Sequence, residues 1–459
     1  MADVTDRRMS DAEGLMWRLE KDPHLSSTFG NVTILDRRPD FDRLRARMER
    51  AVAAVPRLGW RVQPAPANLS APLWVDDPDF EIDYHVRRIA LAKPGDLRQL
   101  LDLATLITLD PFDRTRPLWQ FTVVEGLRGG KAALVQKMHH TITDGEGGVQ
   151  MSLQYLDFQR DAPDPIPVER TDEGPIGAPP SPSAAESVRD LVVGGLRLPL
   201  GVAKQVRDML ADPASIPTAS TAAIDAVRGV VTQLSDTEQA HSPLWTQRSL
   251  KRHLVVATAP FRATKDVAKR LGGTLNTAFL TAATEAASRY HVELGAPVEA
   301  LRASMAISTR TDDSGGNAFS LARMLVPAGE MPITERFKLI QELADTARGG
   351  GGGAALETLA TVAAALPTTL VTRLARQQAQ TVDFATSNVR GSSVPMYICG
   401  AKLLHNYPIG PLAGVAFNLT LLSYDGSLDM GMNVDAAAVA QPARLGVLIE
   451  KSFRELLTA

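Results

Sequence analysis

Two of the chain's eight histidines are adjacent, in the string Met138-His139-His140-Thr141-Ile142-Thr143-Asp144-Gly145. Imidazole titrates near neutrality, so a neutral ring accepts a proton from a hydroxyl group. Such a base needs its other ring nitrogen held by a hydrogen bond that fixes the tautomer. Asp144 follows a sharp turn and orders the loop by pairing with an arginine or by capping a helix. Gly145 allows a turn that a side chain would obstruct. Neighbouring strand residues point to opposite faces, so one imidazole faces inward and the other away. Ala132, Leu134, Met138 and His140 share a mostly apolar face, against Lys137 and His139. That parity makes His140 the better candidate for a buried base, provided the pleat persists to the strand end. The competing reading makes both histidines polar strand-end residues and Asp144 a helix cap; the complete string after a strand favours catalysis. Diverging imidazoles with no evident third ligand argue against a metal site.

The elements that position this string are legible in outline. Residues 119–127 and 131–138 read as strands around the turn Arg128-Gly129-Gly130, with a helix over 146–156 after the histidines. A helix is expected over 41–55, with Leu44, Met48 and Val52 on one face. In the second half, 252–259 reads as a strand and 276–290 as an alanine-rich helix. Residues 415–423 and 427–434 form a hairpin through Tyr424-Asp425-Gly426. Seven prolines between 163 and 182 exclude a helix or central strand there and mark a linker. Apolar residues between 188 and 210 recur at helical spacing. Both halves therefore read as α+β units, with domains expected at 1–160 and 246–459 and a Pro-rich linker with crossover helices at 161–245.

The chain has 459 residues, 44% hydrophobic and 22% charged, which excludes a wholly disordered or collagen-like protein. A net charge of -3 offers no general footprint for nucleic acid. The single cysteine, Cys399, excludes an internal disulfide and any multi-cysteine metal site. The N-terminus lacks the apolar core of a secretory signal. Residues 403–424 carry no Asp, Glu, Lys or Arg, but Asn406, Pro408, Gly410, Pro411 and Asn418 read as an extended segment, a turn and a buried strand. No transmembrane helix is expected. No G-x-S-x-G elbow or H-E-x-x-H is present, and the glycine run 349–353 lacks the strand and Lys-Ser/Thr of a phosphate loop.

The H-H-x-x-x-D-G string resembles the motif of the CoA-dependent acyltransferase superfamily, which includes chloramphenicol acetyltransferases and peptide-synthetase condensation domains. The chain is most similar to the bacterial wax ester synthase/diacylglycerol acyltransferase family. Pro117-Leu118-Trp119 matches its P-L-W element, and Ser387-Asn388-Val389 with Gly391 is similar to its S-N-V-P-G element. Asn418, Ser423-Tyr424-Asp425-Gly426, Leu428, Gly431 and Asp435 match its C-terminal signature. Two positions depart: Asn276-Thr277 stands where the family has N-D, and Arg390 where it has proline.

The resemblance implies two chloramphenicol-acetyltransferase-like domains forming a pseudo-dimer around an interdomain tunnel. Acyl-CoA enters as a substrate, and no resident cofactor or metal is expected. His140 is the implied general base, His139 and Gly145 belong to the same motif, and Asp144 is structural, with Arg310 as its candidate partner. Asn276, Ser387, Asn388 and Asn418 are the candidate substrate and oxyanion contacts, because amides and hydroxyls donate without net charge. The apolar stretches 188–210 and 356–374 either line the tunnel or pack in the core. The expected acceptor is diacylglycerol, with a fatty alcohol as the alternative. The expected location is cytoplasmic, with peripheral contact to the inner face of the plasma membrane or to lipid bodies. The rival functions are a carrier-protein-dependent condensation or transesterification enzyme and a non-catalytic lipid-binding paralogue.

Overall fold

The computed structural model describes residues 7–65, 71–163, 240–308, 319–349, 360, 363 and 368–459. Arg310, most of 161–245 with the expected helices at 188–210, and the glycines at 350–353 lie outside the described residues. The first half runs α1 (Asp11–Leu19), β1 (Thr28–Leu35), α2 (Phe41–Ala54), β2 (Trp60–Gln63), β3 (Leu73–Asp76), α3 (Ile82–His85), β4 (Val86–Ala90), α4 (Leu97–Leu109), β5 (Trp119–Leu127), β6 (Lys131–His139) and α5 (Gly145–Ser152). The second runs β7 (Arg252–Pro260), α6 (Phe261–Arg270), α7 (Leu275–Glu293), β8 (Ala300–Ser308), β9 (Phe319–Pro327), α8 (Ile333–Gly349), α9 (Thr368–Ala379), β10 (Phe384–Arg390), β11 (Tyr397–Ile398), β12 (Ala401–Ile409), β13 (Phe417–Tyr424), β14 (Ser427–Asp435) and α10 (Pro442–Thr458). Both expected hairpins are present, β5–β6 and β13–β14.

Local chemistry starts the helices where the chain needs them. Ser10 with Glu13, and Asp96 with Gln99, form capping boxes at α1 and α4. Asp40 accepts from two backbone N–H groups at the start of α2. Each cap is worth ~1 kcal/mol and fixes where the chain leaves the preceding strand or loop.

Among the described residues, two six-stranded sheets carry the fold, in the orders β11-β12-β1-β6-β5-β4 and β7-β14-β13-β10-β8-β9. The first sheet is completed from the second half, because β12 pairs antiparallel with β1, with Asn31 opposite Pro408 and Thr33 opposite Asn406. β12 also packs against the second sheet. A Cβ on Gly431 of β14 would lie 1.9 Å from the Pro408 carbonyl oxygen, so only glycine admits this approach. Asp429 of β14, fully buried, accepts from the Asn406 backbone N–H at 2.6 Å. A second seam is α4, whose Leu100, Leu101 and Ala104 pack with Val32, Ala133 and Val135 of the first sheet and with Leu254 of β7.

Strand alternation assigns the faces. Phe417, Leu419 and Leu421 of β13 and Phe384 of β10 join the core under α7 and α10. Asn418 and Thr420 take the opposite face and line a cavity of about 540 Å³. Phe29, Asn31 and Thr33 of β1 and Leu134, Gln136, Met138 and His140 line it from the first sheet. No helix among the described residues is long and apolar enough to cross a membrane.

Candidate active site

β6 ends at His139, and the pleat continues one residue further. His140 N donates to Ser27 O at 3.1 Å, which holds it on the cavity face with Met138. Its ring lies 4.6 Å from that of Phe29, tilted by 41°. Burial, with the neighbouring His139 ring adding to it, pulls its pKa down to about 4, while Asp144 and a hydrogen bond with the Thr143 backbone act in the other direction. The imidazole is therefore neutral at physiological pH, as a proton acceptor must be.

His139 turns the other way and is 1% exposed. Its Nδ1 lies 2.8 Å from Thr141 Oγ1, and its Nε2 lies 3.0 Å from Glu20 Oε2. Glu20, at the C-cap of α1, also accepts from Ser26 Oγ at 2.7 Å and from Ser27 N at 2.8 Å. Burial pushes the Glu20 carboxyl up, but the His139 hydrogen bond and charge and these further bonds outweigh it and hold it at about 2. Glu20 thus ties His139 to Ser27, the residue whose carbonyl receives the His140 backbone N–H. Lys137, on the same face as His139, is buried over the Phe112 ring, and burial brings its pKa down to about 8.

Asp144 is the N-cap of α5 and accepts from Gly147 N at 2.7 Å. Gly145 serves a different purpose from the one its sequence suggests. It is not among the residues with positive φ. A Cβ there would lie 2.9 Å from Val389 Cγ2, so glycine lets α5 close against β10 of the second sheet. Asp144 therefore starts α5, and Gly145 lets that helix dock against the other lobe.

The candidate oxyanion contacts separate by face. Ser387 shares its face with Ala385 and Val389 and borders the cavity, and among the described residues no group engages its hydroxyl. Asn418 borders the cavity too, with Nδ2 donating to Pro411 O at 2.7 Å and Oδ1 accepting from Thr420 at 3.0 Å. Asn388 also borders the cavity but turns its amide toward α7, where Nδ2 donates to Asn276 Oδ1. Asn276 is not among the residues that line the cavity, which corrects its expected place: β10 alternates, and Asn388 follows Phe384 toward the helices. The N-D departure is accommodated locally, since the Thr277 hydroxyl donates to Gln341 Oε1, which an aspartate carboxylate would not do. Sequence reasoning missed Glu20, which lies 119 residues from His139 in the chain.

The remaining matched residues hold the walls. Trp119 Nε1 donates to Leu58 O at 2.7 Å, and its ring stacks on His85. The Tyr424 hydroxyl accepts from Met396 N at 2.9 Å and donates to Leu403 O at 3.0 Å, fixing β12 to β13. Asp435 receives Ser249 N and Oγ, each at 2.7 Å. The apolar walls include Met16 and Leu19 of α1 and Val371 and Leu374 of α9, so part of the 356–374 stretch does border the cavity.

Two sheets, the first completed by strands from the second half, with a neutral histidine facing their common cavity, define the two-lobed class that contains acyltransferases and condensation domains. Residues 9–279 match the wax ester synthase/diacylglycerol acyltransferase catalytic domain, and residues 315–457 match the WS/DGAT C-terminal domain. The chain belongs to the wax ester synthase/diacylglycerol acyltransferase family. It is 33% identical, over 98% of its length and 92% of the relative's, to a Mycobacterium tuberculosis protein provisionally named diacylglycerol O-acyltransferase. It is 28% identical to tgs1 of the same organism, also provisionally so named, over 97% of this chain and 94% of that one. Among solved structures, the wax ester synthase/diacylglycerol acyltransferase of Marinobacter aquaeolei VT8 superimposes with a TM-score of 0.65 at 22% identity, covering 98% of each chain. The first condensation domain of the CDA synthetase shares the fold with a TM-score of 0.57 at 15% identity, covering 99% of this chain and 96% of that one.

Proposed function

We propose that the protein transfers a long-chain acyl group from acyl-CoA to the free hydroxyl of diacylglycerol, giving triacylglycerol and CoA, with His140 as general base. The observation that carries the reading is the His140 imidazole, held neutral at the wall of an apolar cavity that both sheets share. His140 takes the hydroxyl proton as the acceptor oxygen bonds to the thioester carbonyl carbon. The carbonyl electron pair moves onto oxygen, where Ser387 and the neighbouring Asn418 are the proposed hydrogen-bond donors. Collapse of the tetrahedral intermediate breaks the C–S bond, and the imidazolium returns its proton to the CoA thiolate. Protons and electron pairs balance between the imidazole and the two substrates, so acyl-CoA is consumed and no resident cofactor enters. The apolar walls shelter the chain, at ~0.8 kcal/mol per buried methylene.

The test is incubation of the purified protein with labelled long-chain acyl-CoA and diacylglycerol. Labelled triacylglycerol is expected; hydrolysis alone, or transfer only from an acyl carrier protein, contradicts the proposal. Because the acceptor is insoluble in water, the protein is expected to work at a lipid surface. It should rise with diacylglycerol-containing vesicles in a flotation gradient, and protein that stays at the bottom contradicts that part.

A further inference from the structure

Some polar side chains in the cavity have no part in this chemistry. Asn31 and Thr33 of β1, Gln136 of β6, Asn406 of β12 and Tyr155 beyond α5 line it together. They are bonded to one another. Asn31 Nδ2 lies within hydrogen-bond reach of three acceptors that its two N–H groups share, Thr33 Oγ1 at 2.9 Å, Gln136 Oε1 at 3.1 Å and Asn406 Oδ1. Thr33 Oγ1 donates to Asn406 Oδ1 at 2.8 Å, and Gln136 Nε2 donates to the Tyr155 hydroxyl at 2.8 Å. Two donors and one acceptor are left over: among the described residues, nothing accepts from Asn406 Nδ2 or from the Tyr155 O–H, and nothing donates to Asn31 Oδ1.

The placement is fixed by register. Asn31 faces Gln136, and Phe29 faces Met138. One pleat repeat, ~6.7 Å, separates the two levels, and the Phe29 ring lies 4.6 Å from that of His140. The Asn31–Gln136 level, where the Tyr155 hydroxyl is bonded, therefore stands on the order of 10 Å from the imidazole along the cavity wall, and Asn406, opposite Thr33, lies one repeat beyond it.

We propose that this cluster is a subsite for the ester carbonyl oxygens of the acyl acceptor, and that it makes diacylglycerol a better acceptor than a simple fatty alcohol. Unsatisfied N–H and O–H donors call for an acceptor, and a hydrocarbon chain leaves them unpaired. No member of the cluster carries a charge, so a neutral carbonyl matches it and a phosphate or carboxylate does not. Diacylglycerol presents ester carbonyls only a few bonds from its free hydroxyl. With a hydrogen bond of ~2.8 Å at each end, that spacing reaches from the imidazole to the cluster. The inference rests on the acyltransferase reading and adds to it the side chains that select the acceptor.

The experiment compares kcat/KM for three acceptors with one acyl-CoA: a 1,2-diacylglycerol, the matching 1,2-dialkylglycerol with ethers in place of esters, and hexadecanol. The wild type is expected to prefer the diester over the diether by about tenfold, the value of one lost hydrogen bond. Tyr155→Phe and Asn406→Leu are expected to erase most of that preference by slowing the diester alone. Equal use of diester and diether by the wild type overturns the subsite without any variant, even if the variants fail to fold. An equal slowing of all three acceptors in folded variants overturns it too. A wild type that acylates none of them contradicts the acyltransferase reading and takes the subsite with it.

Discussion

Glu20 holds the proposed base in place from the far side of its strand. It accepts from His139 and from the Ser27 backbone N–H, while the Ser27 carbonyl receives the His140 N–H. Glu20→Gln is therefore expected to lower kcat by about 10–100-fold with little change in the KM for acyl-CoA, because it disturbs the base and not the binding walls. A fall in stability with unchanged kcat would make Glu20 merely structural. Wild-type kcat/KM should be flat from about pH 5.5 upward and fall as pH drops through about 4, where the His140 ring takes up a proton. His140 was legible in the sequence because strand parity alone separates it from His139. Glu20 was not, since its contact exists only once α1 has folded against the end of β6. Asn276 sits at the first turn of α7 against Asn388 and not on the cavity wall, because motif matching does not say which side of the helix faces the cavity.

At the scale of elements, β12 decides whether there is a shared cavity. It is hydrogen-bonded into the first sheet and packed on the second, with the Pro408 carbonyl in the space left by Gly431. Gly431→Val should push β12 off β14 and cost ~3 kcal/mol or more in urea unfolding, with activity lost in proportion. An unchanged midpoint would show that the seam is looser than this packing requires. The sequence around 403–424 was readable as an extended segment, a turn and a strand, and so it is. What it does not disclose is the partner: Asn31 and Asn406 are 375 residues apart, and no local pattern encodes that pairing. The motif glycine at 145 was visible, but its reason, the Val389 side chain of the other sheet, is tertiary.

Across the whole molecule, burial of neutral imidazoles links stability to pH. Burial brings the His85 and His140 pKa values down to about 4 from 6.5. Between those values the unfolded chain binds protons that the folded chain refuses. Stability should therefore fall as pH is lowered from about 6.5 to 4, by up to ~1.4 kcal/mol per pH unit for each ring. Chemical denaturation across this range checks it, and a flat profile contradicts the burial of both rings. The two-lobed α+β character was legible from the elements and from the spread of the motif matches, whereas the exchanged strand and the polar cluster in the cavity depend on long-range register. The account stands on His140 as the base. Its most direct test is the single-turnover rate of acyl transfer to diacylglycerol in His140→Ala beside the wild type, with acyl-CoA binding measured in both. A rate at least 100-fold lower with binding retained is predicted; equal rates in the two proteins would contradict the mechanism.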